Sequence, residues 1–205
     1  MDEGVQDVAP GLWIWRISHP AWRPGLDWPE TVTSTCVESG GEIAVLDALA
    51  PPEGSEVWQR LDAKPPTMAV VLKPDHVRDV DLLVDRYGAR AYGPWLFFAG
   101  DAPRTELEEI EPGMELPGGL LALYDARWRM ETPLWLPEQK TIVFADALTA
   151  PEGELRIWGA RQLDRARDVF REYLELPFEH VIVAHGEPVH DRAAFERAVE
   201  LPPYG

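Results

Sequence analysis

The chain has 205 residues, 45% of them hydrophobic, the size and composition of a globular protein with a real core. Its 36 acidic residues outnumber 19 basic ones, and a formal net charge of −17 opposes binding to phosphate backbones and anionic lipid headgroups. No stretch reaches the roughly 20 apolar residues that span a bilayer, and the acidic start lacks the basic residues of a secretion signal, so the expectation is a cytoplasmic protein with no nucleic-acid or membrane partner.

In chain order, residues 11–17 alternate and are rich in β-formers, and residues 31–38 form a second such run. The turn Ser39-Gly40-Gly41 leads into a third at 42–46, which predicts an N-terminal β-meander. Cys36 lies in the second run and reads as a buried, inert thiol. Residues 55–61 predict a short helix, and the continuous apolar run 68–72 predicts a strand covered on both faces. Between Asp75 and Tyr87, the residues Val77, Val80, Leu83, Val84 and Tyr87 fall at helical spacing, with Gly88 placed to close the helix. A short strand is expected at 89–92.

Runs at 119–124, 133–136 and 141–145 predict a second meander. A long helix over 157–174, a buried strand at 181–184 and a terminal helix at 192–200 follow. Proline pairs at 51–52, 65–66 and 202–203 punctuate the chain without forming a linker, so residues 1–205 read as one domain.

Polar residues stand directly after three apolar strands: Asp75-His76 after 68–72, Asp146 after 141–145, and His185-Gly186 after 181–184. Strand ends are where sites assemble in α/β proteins. Two Asp and two His form a shell suited to zinc, manganese or iron, since imidazole and carboxylate together match borderline divalent ions.

Asp75-His76-Val77-Arg78-Asp79, followed by Asp85-Arg86-Tyr87-Gly88-Ala89, resembles the helix after the metal motif of the metallo-β-lactamase superfamily. In the same order, Val45-Leu46-Asp47 resembles that family's early strand-then-Asp motif. Lys140 to Leu148 is similar to its bridging-Asp strand, and Val181 to Pro188 to its last-His motif. The resemblance implies a four-layer αββα sandwich with the site at one edge between the two sheets, and the twice-repeated order of strands before helices agrees with it.

The departures are as specific. The family's hallmark is His-x-His-x-Asp-His, and this chain, whose histidines are His19, His76, His180, His185 and His190, contains no His-x-His. With a short deletion, both leading His are lost and the trailing pair survives as Asp75-His76. The family's middle His has no counterpart either, and Arg127 falls near its place.

In two-metal members the leading and middle His hold the first ion, the Asp-His pair and last His hold the second, and an Asp bridges. The resemblance therefore implies Asp75, His76, Asp146 and His185 around one divalent metal (zinc, iron or manganese) or around none, with Arg127 or Arg129 supplying charge at the other position. An ungapped reading places His76 on the second leading His, Arg78 on the metal Asp and Asp79 on the final His, which removes the second set as well.

Each residue also has a plainer reading. Asp75 suits the N-cap of its helix, His76 is placed as a solvated residue of the first turn, and His185 as the partner of a neighbouring loop. Asp146, flanked by apolar residues, needs a metal or an Arg if buried. His19, His180 and His190 lie outside the matched motifs and read as surface residues. Trp13, Trp15, Trp22 and Trp28 either pack the core or line an apolar cleft.

Two functions fit. One is a degenerate, non-catalytic member whose pocket binds a small molecule or a partner. The other is a single-metal hydrolase of ester, thioester or lactone bonds, with an ion lowering the pKa of bound water and Asp146 as catalytic base or ligand.

Overall fold

The computed structural model describes residues 4–124, 131–159 and 163–205. Among these residues, β1 (Val5–Ala9), β2 (Leu12–Ser18), β3 (Thr31–Ser39) and β4 (Glu42–Leu46) form an antiparallel meander. The chain then crosses over through α1 (Glu56–Ala63) to β5 (Met68–Val70), and through α2 (Val80–Tyr87) to β6 (Arg90–Gly93). Both strands add in parallel, as helical crossovers require, and β7 (Glu108–Glu109) closes that edge.

The second sheet contains β8 (Glu115–Leu116), β9 (Leu120–Ala122), β10 (Leu134–Leu136) and β11 (Thr141–Val143) as antiparallel neighbours. After the small hairpin of β12 (Leu148–Thr149) and β13 (Arg156–Ile157) comes α3 (Leu163–Glu172). Strand β14 (His180–Ile182) then pairs parallel to β11, and α4 (Arg192–Glu200) follows.

The alternation of side chains along each strand builds four layers. On β2, Leu12 and Ile14 point between the sheets, where they meet Leu116, Leu120, Leu134 and Leu136 of the second sheet in one core. Trp13 and Trp15 point the other way and pack with Val57, Trp58 and Leu61 of α1. On the far side of the second sheet, Ile142 and Phe144 lie under Phe170 of α3 and Phe195 of α4. The order is helices, sheet, sheet, helices, the αββα sandwich expected from the sequence.

Two predicted helices start late. The helix expected from Asp75 begins at Val80, and Asp79, not Asp75, occupies the N-cap position. Residues 73–79 instead form a turn in which the His76 N–H donates to the Lys73 carbonyl and Arg78 adopts a left-handed φ of 43°. The Asp79 carboxylate accepts from the Ala50 N–H at 2.7 Å rather than capping its own helix. Tertiary bonds here outweigh helical periodicity. Likewise Ile157, expected to begin a long helix, pairs with Leu148 across the β12–β13 hairpin, and among the described residues α3 covers Leu163–Glu172.

Cys36 is buried in the core beneath α1, and burial pushes its thiol far above the ordinary range, which removes it from chemistry. Phe195 is fully buried, its ring 5.1 Å from that of Phe178 and 6.3 Å from that of Phe144. Phe195→Ala is expected to cost about 3–5 kcal/mol of stability, measured as a lowered urea midpoint with an unchanged slope.

Candidate active site

The first half of the site hangs from Asp47, the residue after β4, which holds a left-handed φ of 46° that Asp tolerates better than most. Its carboxylate bridges two groups of the loop beyond β5. Oδ1 accepts from the Leu72 N–H at 2.7 Å, and Oδ2 accepts from His76 Nδ1 at 2.8 Å. This fixes Nδ1 as the protonated nitrogen and turns Nε2 toward Asp146. Arg78 donates to the carbonyls of Thr33 (2.9 Å) and Asp47 (2.5 Å), so two ordered backbone oxygens hold its guanidinium.

The second half comes from the ends of β11 and β14. Asp146 lies beyond β11, and the buried Glu131 carboxylate accepts from three successive backbone N–H groups there, those of Ala145, Asp146 and Ala147, at 2.9, 2.7 and 2.6 Å. His185 lies beyond β14, where the Ala184 carbonyl accepts from the Thr33 N–H and the His185 carbonyl from the Ala150 N–H, each at 2.8 Å. Gly186 sits at φ 137°, and a Cβ there would lie 2.6 Å from the Ala150 carbonyl oxygen, so only glycine permits this approach.

Both halves converge on Asp146. His76 Nε2 lies 3.5 Å from its Oδ2 and His185 Nε2 lies 3.6 Å from its Oδ1. Lys73 Nζ is closer than either, 2.7 Å from Oδ2, and also pairs with Asp75. The Lys73 and Asp146 side chains are each only 5% exposed, whereas that of Asp75 is 38% exposed and sits at the rim. Above this polar floor opens a cavity of about 300 Å³ that His19, Asp27, Trp28, Val32, Arg78 and Trp158 also line. The rings of Trp28 and Trp158 flank His185 at 5.8 and 5.4 Å.

The charges follow from this packing. Burial and the Arg78 charge both push the His76 imidazolium toward neutrality, but the Asp146 and Asp47 carboxylates outweigh them and hold its pKa at about 9. Burial alone would raise Asp146, yet His76 and Lys73 keep it well below the usual carboxylate range. Burial opposes the Lys73 charge, but Asp146 and Asp75 overcome it and raise its pKa. His185 goes the other way: burial brings it down to about 4 despite Asp146, so it is a neutral imidazole at pH 7.

The structure therefore brings His76, Asp146 and His185 into one pocket and leaves Asp75 on the rim, bound to Lys73. Arg127 and Arg129 lie outside the described residues. Lys73, Arg78 and Glu131 carry the electrostatics. Lys73 and Glu131 had no site role in the sequence reading, and Arg78 entered it only in the ungapped alternative, on the position of the metal Asp. A lysine next to Pro74 directly after a buried strand was the available signal. His19, read as a surface residue, lines the pocket, as does Trp28, while Trp13 and Trp15 pack the core.

The sequence matches no family profile and no curated protein. Solved structures do match. A metallo-β-lactamase from Erythrobacter litoralis superposes over 96% of this chain and 90% of its own, with a TM-score of 0.68 and 18% identity. The metallo-β-lactamase DIM-1 covers 97% and 95%, with a TM-score of 0.73 and 13% identity. A metallo-β-lactamase family protein from Thermus thermophilus covers 95% and 78%, with a TM-score of 0.65 and 15% identity. This chain has the metallo-β-lactamase fold. At these identities the likeness establishes the architecture, and function has to be argued from the site.

The residues of this pocket do not fit the single-ion site that the resemblance allows. Among the described residues, no group of three or more His, Cys, Asp and Glu has metal-holding geometry. The reason lies in the donors: the Lys73 ammonium already takes Asp146 Oδ2 and pairs with Asp75 as well.

Two tests follow from this geometry. Glu131→Ala strands three buried N–H groups around Asp146 and should cost on the order of 3 kcal/mol, read as a lowered thermal midpoint. His76 has its pKa raised from the ordinary 6.5 to about 9, so its stabilisation is complete below 6.5 and is lost as pH rises through 9. The thermal midpoint should therefore fall between those values, and His76→Gln should flatten that part of the profile.

Proposed function

We propose that this chain is a metallo-β-lactamase-fold protein with a degenerate metal site, a non-catalytic binder of a small polar molecule. The observation that carries this reading is the buried Lys73 ammonium, 2.7 Å from Asp146 Oδ2, within the group of residues that would otherwise serve as metal ligands. An ammonium at that distance neutralises the carboxylate without the open coordination position that metal catalysis needs. The cavity supports binding: about 300 Å³ lies at the lower end of small-molecule pockets, with indole walls from Trp28 and Trp158 and a floor of Lys73, Arg78, His76 and Asp146.

A single-metal hydrolase of ester, thioester or lactone bonds is the competing reading, and one observation favours it. Asp146 Oδ1 is buried without a hydrogen-bond partner, 3.6 Å from His185 Nε2. In that case Asp146, His76 and His185 would hold zinc, manganese or iron, Asp75 would join from the rim, and the ion would activate water.

The deciding experiment purifies the chain without chelator and supplements it with zinc, manganese and iron. Metal content is then measured by elemental mass spectrometry, and turnover on an ester, thioester and lactone panel. The expected result is far less than one metal per chain and no hydrolysis above buffer. One bound metal per chain with turnover that His185→Ala abolishes would establish the hydrolase instead.

A further inference from the structure

We infer that Arg78 is the anion anchor of this pocket, and that its ligand is a small carboxylate whose apolar body packs against the Trp28 and Trp158 indoles. The inference rests on the reading of the pocket as a metal-free binding site and deepens it by naming the ligand class.

The charge balance around the guanidinium carries it. The carboxylates of Asp47, Asp146, Asp75 and Asp79 favour its positive charge from a distance. Each of them is committed to another partner: Asp47 to the Leu72 N–H and His76, Asp146 and Asp75 to Lys73, and Asp79 to the Ala50 N–H. Among the described residues Arg78 forms no ion pair, whereas Lys73 pairs with both Asp75 and Asp146. A guanidinium is charged at any physiological pH, and a cation drawn out of water without a countercharge is costly. Burial is accordingly the largest influence on Arg78 and lowers its pKa. A bound anion supplies the countercharge that the chain itself withholds.

The donor group is already oriented. Nη1 donates to the Thr33 and Asp47 carbonyls at 2.9 and 2.5 Å, which clamps the plane of the guanidinium. The Nε and Nη2 N–H groups form the other side of the fork. They make no hydrogen bond among the described residues, and Arg78 lines the cavity of about 300 Å³. Two parallel N–H donors in one plane match the two oxygens of a carboxylate. The Arg78 backbone also keeps a left-handed φ of 43°, a conformation that an arginine holds only where its surroundings impose it, and such strain gathers at functional sites.

The walls select the rest of the ligand. Burial, then Arg78 and His76, draw down the pKa of His19, and burial, His76 and Arg78 draw down that of His185 against Asp146. The interior thus opposes a further positive charge, which disfavours a cationic ligand. At the mouth stand the exposed carboxylates of Asp27 and Asp75, which oppose a dianion such as phosphate. A single negative charge satisfies both constraints. The rings of Trp28 and Trp158, on either side of His185, give apolar surface to the body that carries it.

The test titrates the native chain by calorimetry with acetate, benzoate and phenylacetate, with the matching neutral amides, with benzylamine and with inorganic phosphate. Benzoate and phenylacetate should bind at one per chain, more tightly than acetate, and at least about 10-fold more tightly than their amides, which lack the charge of the pair. Arg78→Lys keeps the charge but not the fork and should weaken benzoate by about 10-fold. Trp28→Ala should weaken benzoate and leave acetate unchanged. Should Arg78→Lys fail to fold because the Thr33 and Asp47 carbonyls lose their donor, the amide comparison and Trp28→Ala still decide. Several outcomes would overturn this inference and leave a metal-free pocket standing: amides or benzylamine that bind as tightly as the acids, phosphate that binds in their place, no binding of any carboxylate, or benzoate binding that both variants leave intact. Stoichiometric metal in the native chain would instead overturn the degenerate-site reading itself.

Discussion

A carboxylate removed from water has to be neutralised, and in this protein that demand falls on Asp146. Its side chain is 5% exposed and its partners come from both halves of the chain: Lys73 and His76 from the loop after β5, His185 from the loop after β14. Replacing Lys73 or His76 would leave Asp146 short of a buried countercharge, which costs far more than the pair itself returns. The local backbone serves this arrangement. Glu131 holds the segment that carries Asp146, Asp47 holds the segment that carries His76, and Gly186 lets the His185 loop pack against Ala150.

On the function proposed above, the charges carried by the chain itself set this pocket apart from a metal-dependent hydrolytic centre. A divalent ion brings two charges and an exchangeable water, whereas an ammonium brings one charge and no coordination position. Lys73 and Arg78 therefore supply positive charge that is covalently part of the chain. The neutral His185 between two indoles supplies a polar, uncharged surface next to it.

Much of the fold was legible because its core strands and outer helices carry strong periodicity. The strand at 42–46 and the helix at 192–200 form over the residues where alternation and helical spacing place them. The failures have local causes. The helix expected at Asp75 gives way because the Asp47 carboxylate and the Thr33 and Asp47 carbonyls draw His76 and Arg78 into a turn, and no sequence periodicity registers such long-range bonds. β7, β8, β12 and β13 are two-residue strands, too short for a pattern. In the site, His76, Asp146 and His185 were visible as polar residues ending apolar runs. Lys73 carried a weaker signal, its place directly after a buried strand, and its role shows only in what it is buried against. The tryptophans divide by position: those on β2 pack the core, and Trp28, on the connection to β3, reaches the pocket.

The ion pair across the two sheets also has a temporal meaning. Lys73 belongs to the half of the chain that is synthesised first, and its partner Asp146 follows only after the second meander has been made. Each meander can form from neighbouring segments, but this pairing closes a long loop and waits for the sheets to dock. The pocket therefore exists only where both sheets are docked, since its central ion pair takes one partner from each.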